Sequence, residues 1–425
     1  MTSKTPEEAF VWVWLPSAVT PVVAGRLVPD GGQLIFNYGR SYLDRDNAIP
    51  LYLPELPIKA GAIPPMPGLT IAGCIRDAAP DAWGRRVILN HRYGKEARDM
   101  DTARLDELSY LLESGSDRIG GLDFQASATD YSPRIAQQAT LAELLDAAAK
   151  VEAGIPLTPE LDNALHHGSS LGGARPKAMI EAGQHKWIAK FSSSADTYSI
   201  VKSEYIAMRL AALAGLDAAP VRLERSAGKD VLLVRRFDRE RTPDGYRRRI
   251  IVSALTMLGL DEMMARYASY EDLAEIVRHR FNQPKATLRE LYGRLVFNVL
   301  CGNTDDHARN HAAFWDGETL VLTPAYDICP QARTGNEAGQ AMLIAGQRRD
   351  SNLSLCLKAS THFLLNEKEA IALINHQLDT VHEHFESVCD EAALSAVDRN
   401  LLQRRQFLNP SIFDGSPAAL QPRAF

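Results

Sequence analysis

Within ELYGRLVFNVLCGNTDDHARN, residues 290 to 310, an apolar helical pattern gives way at one glycine to a run of acids, amides, a histidine and an arginine. Leu291, Leu295, Val296, Val299 and Leu300 recur at helical spacing, so one face of this segment is expected to lie against a core. Gly302 is expected to stop the helix, because glycine enters the left-handed conformation that ends many helices at no steric cost. The polar loop is thus hung from a buried element, which suits side chains that need both accurate placement and access to a ligand.

Asp305 and Asn310 stand at the D-x-x-x-x-N spacing of a kinase catalytic loop. Phosphoryl transfer needs a carboxylate to accept or orient the proton of the attacking hydroxyl, and a neutral oxygen to help hold magnesium. Alone the spacing is weak, since Asp and Asn are common loop and capping residues. Its surroundings raise it. AAFWDGETLVL reads as two short strands about the Asp316-Gly317 turn, and TPAYD then presents Asp327, a candidate metal ligand followed by Ile328 and Cys329.

Upstream, KWIAKF is a plausible strand whose Lys190 alternates with apolar neighbours and either reaches nucleotide phosphates or lies exposed on an edge. Glu204 opens the next helical pattern, which Gly215 stops; it could pair with Lys190 or complement the helix dipole. GSSLGGARPK, residues 168 to 177, lacks both standard phosphate-loop orders. Its glycines could bring backbone amides to phosphates, Ser169 and Ser170 could accept phosphate, or the stretch is an ordinary flexible turn.

With 425 residues, 45% of them hydrophobic, the chain can bury substantial cores, and two or three domains or lobes are expected. A balance of 47 basic and 53 acidic residues, net −6, argues against a broad electrostatic grip on nucleic acid by this chain alone. Five cysteines without a CxxC pair give neither a disulfide framework nor a structural zinc site, and point to a reducing compartment. FVWVWL is too short for a signal sequence and no apolar run is long enough to span a bilayer, so a cytoplasmic protein is expected.

Residues 10 to 56 read as strand-rich through FVWVWL and QLIFNY, and residues 70 to 112 as helical, with DTARLDELSYLLESG starting on an acidic or hydroxyl cap. The expected organisation is an N-terminal subdomain over 1 to 125, a connecting segment over 126 to 160, an ATP-binding lobe over 161 to 250 and a helical catalytic lobe over 251 to 425. From 251 to 408 the pattern is mostly helical except around 312 to 323. The basic cluster YRRRII at 246 to 251 reads as a solvated turn or helix start. The histidines at 166 and 167, and His382-Glu383-His384, lack convincing metal-ligand spacing.

SSLGGARPKA, KWIAKF, KSEYIAMRLAALAGL, LLVRRFDR, CGNTDDHARNHA and LTPAYDI occur in that order, and together they resemble the HipA family of bacterial serine/threonine kinases, the toxins of HipBA-type toxin-antitoxin modules. FNYGRSYLDRDNAIPLYLPELP, DAAPDAWGRR and ESGSDRIGGL extend the resemblance to the family's N-terminal subdomain, so it covers essentially the whole chain. It implies an α+β, two-lobed protein-kinase-like fold with a β-rich N-terminal part and an all-helical C-terminal lobe. It also implies ATP and Mg2+, with Asp305 as catalytic base, His307 supporting it in the same loop, and Asn310 and Asp327 as metal ligands. Lys190 would meet the ATP phosphates, Gly172, Gly173 and Lys177 belong to the phosphate-binding loop, and Arg235 and Phe237 to the adenine-facing hinge.

In the family, autophosphorylation of that loop can eject it and switch the kinase off; Ser170 aligns best with the acceptor and Ser169 is second. A phosphoserine adds about two negative charges beside the place of the ATP phosphates, which repels nucleotide. The implied partners are a HipB-like helix-turn-helix antitoxin, a cytoplasmic protein substrate such as an aminoacyl-tRNA synthetase, and DNA only through the antitoxin, with no membrane. Asp306, where a glycine is common, and the RPK after the loop's small residues depart from the family's pattern. The alternatives are a small-molecule phosphotransferase, since antibiotic kinases share these parts, and a non-catalytic corepressor.

Overall fold

The computed structural model describes residues 6–136, 139–168, 175–193, 196–332, 335, 337–403 and 405–421, without the side chains of residues 167 and 168. The fold is mixed α/β, and the chain forms two compact units, each assembled from separate stretches of sequence. The first takes Met1–Ala195, Glu224–Val252 and Phe314–Glu318; the second takes Asp196–Leu223, Ser253–Ala313 and Thr319–Phe425. Among the described residues no helix is long and apolar enough to cross a membrane.

In the first unit, β1 (Ala9–Val13), β2 (Val22–Asp30), β3 (Gln33–Tyr38), β4 (Ala62–Ile63) and β5 (Leu122–Gln125) make an antiparallel sheet in the order β4-β3-β2-β1-β5. The expected strands FVWVWL and QLIFNY are β1 and β3, and β2 is an addition between them. Gly25 and Pro29 break the apolar pattern of β2. A Cβ on Gly25 would stand 2.1 Å from the Asn37 carbonyl oxygen, so only glycine admits this close approach to β3.

Next to this sheet in sequence, the helix Ala82–Tyr93 starts on Asp81, whose carboxylate accepts from Gly84 N, and stops at Gly94. The DTARLDELS stretch differs from the single helix expected. A 3-10 turn over Thr102–Arg104 precedes a separate helix Glu107–Glu113, capped by Asp106.

A further sheet of the first unit contains β6 (Lys177–Ala182) and β7 (His185–Phe191), with β7 antiparallel to Lys229–Arg235. Ala178, Trp187, Ala189, Phe191, Val231 and Leu233 fill one face and pack with Trp83 and Val87 of the helix Ala82–Tyr93, Leu144, Leu145, Ala148 and Val151 of Leu141–Glu152, and Leu165. The N-terminal region therefore shares a hydrophobic core with this sheet. Trp83 Nε1 also donates to the Lys177 carbonyl at 2.9 Å.

Polar groups reinforce that joint. Arg236 spans Asp117 and Asp238, Arg239 reaches Asp117 Oδ1 at 3.0 Å and the Gly120 carbonyl at 2.9 Å, and Gly120 N donates to Asp238 at 2.8 Å. The segment Phe314–Glu318 is stitched to residues 49–52: Trp315 Nε1 donates to the Pro50 carbonyl at 2.8 Å and its ring meets Tyr52 edge-on. YRRRII is strand here, not a solvated turn: Arg248 stacks over Trp14 at 3.6 Å and donates to the Ser116 carbonyl at 2.7 Å.

In the second unit, the helices Ile200–Leu213, Tyr270–Arg280, Pro284–Cys301 and Glu367–Glu391 carry most of the core. It is not helical throughout. Among the described residues from Pro324 to Asn352 there is no helix, and Pro324, Pro330, Gly335, Gly339 and Gly346 interrupt any helical run there.

Candidate active site

The candidate residues divide between the two units. In the second, Pro284–Cys301 is buried along Leu291, Leu295, Val296, Val299 and Leu300, with Pro284 at its first position. Gly302 ends it at φ 71°, and a Cβ there would lie 2.7 Å from the Gln406 carbonyl oxygen. Both the left-handed backbone and the lack of space demand glycine. Asn303 is buried beyond it, its Nδ2 donating to Asn298 Oδ1 at 3.0 Å and its backbone N to the Asn298 carbonyl at 2.9 Å.

The loop then folds on itself. His307 N donates to the Asp305 carbonyl at 2.8 Å, Asn310 N to the His307 carbonyl at 2.8 Å, and Asn310 Nδ2 to the Asp305 carbonyl at 3.1 Å. With Nδ2 engaged as a donor, the amide oxygen of Asn310 is the atom left to serve as a ligand. Asp305 reaches solvent, while Asn310 is buried. Loss of hydration raises the Asp305 carboxyl, His307 opposes this, and the charges of Asp327 and Asp306 add to the rise; the net direction is up. Asp305 and Asp327 thus stand close enough to repel.

Asp327 follows the two strands as expected: Ala312–Trp315, a turn with Gly317 at φ 105°, and Leu320–Leu322. Its backbone is left-handed, φ 59°, a conformation in which Asp is enriched among non-glycine residues and which recurs at functional sites. Tyr326 beside it donates to the Arg309 carbonyl at 2.6 Å, tying the two segments together. Arg309 itself pairs with Glu262 at 2.8 Å on the surface.

Four residues that had no role in the sequence reading organise this site. Asp306, the one acid without an assigned role, is 1% exposed; Tyr270 donates to its Oδ2, and His311 Nε2 lies 2.9 Å from its Oδ1. Burial first, and then the Asp306 charge, push the Tyr270 hydroxyl well above its ordinary value. Arg294, a charge inside an apolar helix, donates to the Thr323 carbonyl at 2.9 Å and to Asp217 O at 3.3 Å. Asp217 O in turn accepts from Ala325 N at 2.7 Å, which fixes the approach to Asp327. Arg294, Asn298, Asp306, Asn310 and His311 line a cavity of about 10 Å³, room for one water, and Arg294 Nη1 and His311 Nδ1 have no hydrogen-bond partner among the described residues. The signals available were an arginine breaking an apolar pattern and polar residues directly following Asp305 and Asn310.

In the first unit, Lys177 and Lys190 are directly opposite in the β6–β7 register, on the face of the sheet away from the shared core. Lys177 is buried and Lys190 half-buried, and Asp81 lies 3.7 Å from Lys177. Two ammonium groups placed opposite each other suit an anion. Arg235 and Phe237 are half-buried and alternate with the buried Arg236 and Asp238; Phe237 meets Phe314 edge-on at 5.9 Å. Gly172, Gly173, Ser169 and Ser170 lie outside the described residues.

Among the described residues no group of three or more His, Cys, Asp or Glu side chains could hold a metal ion. Asn310 and Asp327 offer hard oxygens, and the Asp305–Asp327 repulsion is what a cation relieves. This donor set fits magnesium held by few protein ligands together with nucleotide phosphates.

Residues 169–394 match the family model of the HipA-like C-terminal domain, and residues 14–125 that of the HipA N-terminal domain. A candidate kinase of Sinorhizobium fredii, Y4mE, is 26% identical over 332 residues, 72% of this chain and 74% of that protein. The serine/threonine-protein kinase toxin HipA of Shewanella oneidensis is 28% identical over 147 residues, 31% of this chain and 34% of that one. The solved complex of Shewanella oneidensis HipA with HipB and operator DNA contains a chain of similar fold. Its TM-score is 0.67 at 18% identity, covering 95% of this chain and 99% of that one. Since the C-terminal model alone matches more than half of the 425 residues, the chain belongs to the HipA family, whose named relatives are kinases.

Proposed function

We propose that this chain is a HipA-like serine/threonine protein kinase that transfers the ATP γ-phosphate to a serine of a protein. The observation that carries this reading is the loop on which Asp305, with its raised carboxyl, and Asn310 are held beside Asp327. Asp305 accepts the proton of the attacking hydroxyl; a carboxyl pKa raised from its ordinary value brings it nearer to the working pH of a general base. His307, whose charge favours the ionised form of Asp305, supports it. Asn310 and Asp327 hold Mg2+, which when bound neutralises charge on the phosphates. Lys190 and Lys177 bind phosphate, and backbone groups of Arg235 and Phe237 meet adenine.

The proposed fold is two-lobed and protein-kinase-like, with an N-terminal subdomain over 1–125, a connection over 126–160, an ATP-binding lobe over 161–250 and a catalytic lobe over 251–425. Autophosphorylation of Ser170, with Ser169 as second acceptor, is the proposed off switch. The structural relative assembled with HipB and operator DNA supports a HipB-like antitoxin as partner. Contact with DNA through that partner and a cytoplasmic site of action are part of the proposal. A protein substrate is favoured over a small molecule by surface beside the loop. Glu262 holds Arg309, and Met263, 82% exposed, Met264 and Tyr267 follow it as solvent-facing apolar contact surface.

Radiolabelled ATP with Mg2+ should label the purified chain, and Asp305→Ala should abolish labelling. Phosphoproteomics of cells expressing wild type against Asp305→Ala should then name the substrate. Labelling of an aminoglycoside but no protein would establish the small-molecule reading. Undiminished operator repression with every phenotype retained in a chain lacking Lys190, Asp305, Asn310 and Asp327 would establish the corepressor.

A further inference from the structure

Asp305 and Asn310, two of the candidate side chains of the loop, are each followed by a buried polar residue, and those two residues meet. Asp306 is 1% exposed and His311 2%; His311 Nε2 stands 2.9 Å from Asp306 Oδ1. Tyr270, 0% exposed, donates to the other carboxylate oxygen, and its own oxygen lies 3.1 Å from His311 Nε2. A carboxylate withdrawn this far from water is tolerated only with such partners, and removing one leaves the others unsatisfied. The pair is anchored on two sides: the His311 carbonyl accepts from Ala254 N at 2.7 Å, and Tyr270 N donates to the Leu343 carbonyl at 2.9 Å.

We infer that the Asp306–His311 pair, braced by Tyr270, is a positioning clasp that closes the loop from beneath and sets the separation of Asp305 and Asn310 for phosphoryl transfer. Asp306 and His311 are buried and fix the backbone from inside, while Asp305 stays open to solvent. The Asp305 carbonyl, which accepts from both His307 N and Asn310 Nδ2, is held between the two ends of the clasp. Neither residue touches a reacting atom; both act through their neighbours. The inference rests on the kinase reading above, and its test separates the two.

Asp306→Asn keeps the shape and removes the charge. It is expected to lower kcat about 10–100-fold, the usual cost of losing an outer partner of an active-site group, with KM for ATP changed less than about twofold. His311→Gln, whose amide can still donate to Asp306, should retain more activity than His311→Leu, and the Asp306→Asn/His311→Leu double variant should lose no more than the worse single one. Hydrogen exchange of the peptide covering 303–311 should speed up in Asp306→Asn while the helix Glu367–Glu391 keeps its protection. Unchanged exchange in that peptide, wild-type kcat in Asp306→Asn, or strictly additive losses would each overturn the clasp. A folded wild type that transfers no phosphate, with loop exchange quickened by Asp306→Asn, would instead overturn the kinase reading and the clasp's catalytic role with it.

Discussion

Asp117 and Asp305 are both carboxylates with protein packed about them, and their acidities move in opposite directions. Burial acts to raise each. Around Asp117 the guanidinium groups of Arg236 and Arg239 and the ammonium of Lys186 outweigh it, and the carboxyl is held well below its ordinary value. Its neighbour Asp238, which burial would raise, is likewise brought to about 2 by Arg236 and Arg239. Around Asp305 only His307 counters the rise, while Asp306 and Asp327 add to it. In the first cluster three cations, Arg236, Arg239 and Lys186, face two carboxylates, so neither carboxylate needs a cation from outside. The second leaves negative charge in excess, the condition in which a cation or a proton completes the site.

The sharpest way to break this contrast is to remove each carboxylate in turn. Asp305→Ala should cost about 10²–10⁴-fold in phosphoryl transfer, measured with radiolabelled ATP, and not lower the thermal melt, because the side chain reaches solvent. Asp117→Ala should do the reverse in kind. Leaving Arg236, Arg239 and Lys186 with Asp238 but without Asp117 should destabilise the protein by about 3–5 kcal/mol in denaturant unfolding.

Gly302→Ala tests the joint on which the loop hangs. It meets the Gln406 backbone at 2.7 Å in a left-handed conformation and should cost about 1–3 kcal/mol. Acid titration of stability gives a smaller, signed test. Asp117 binds its proton less tightly in the folded than in the unfolded chain, so its contribution is complete above the ordinary carboxylate range and fades as pH falls through its lowered folded value. Asp305 binds its proton more tightly when folded, so it opposes folding increasingly as pH rises from 3.8 through its raised value. Asp305→Asn should therefore melt slightly higher than wild type at neutral pH, and Asp117→Asn lower. The smallest effect belongs to the surface pair: Arg309→Ala should change stability by less than about 1 kcal/mol.

What could be read from the sequence follows how locally each feature is encoded. The helix Pro284–Cys301, its stop at Gly302 and the strands before Asp327 rest on periodicity, a glycine and a turn, all of short range. The strand Val22–Asp30 escaped because Gly25 and Pro29, the residues that fit it against its neighbour and its turn, are those that argue against a strand. Asp306 remained without a role for a different reason. Its burial depends on Tyr270, far upstream, and on His311, whose pairing across the loop has no signature in spacing. The expectation of a solvated 246–251 failed because arginine stems pack on aromatic rings that the linear sequence places far away.

The stitching of Phe314–Glu318 to Ile49, Pro50 and Tyr52 carries a consequence for synthesis. The first unit begins at the amino terminus but is completed by the tip of a hairpin that emerges late. Its last pieces reach the ribosome exit only after the helix Pro284–Cys301 and the loop that carries Asp305 have been made. Vectorial folding from the amino terminus therefore cannot finish that unit early, and a nascent chain released before residue 315 lacks the Trp315 plug over residues 49–52. Ribosome-bound intermediates of graded length should gain protease resistance in the N-terminal region in a late step, once Trp315 is free of the tunnel.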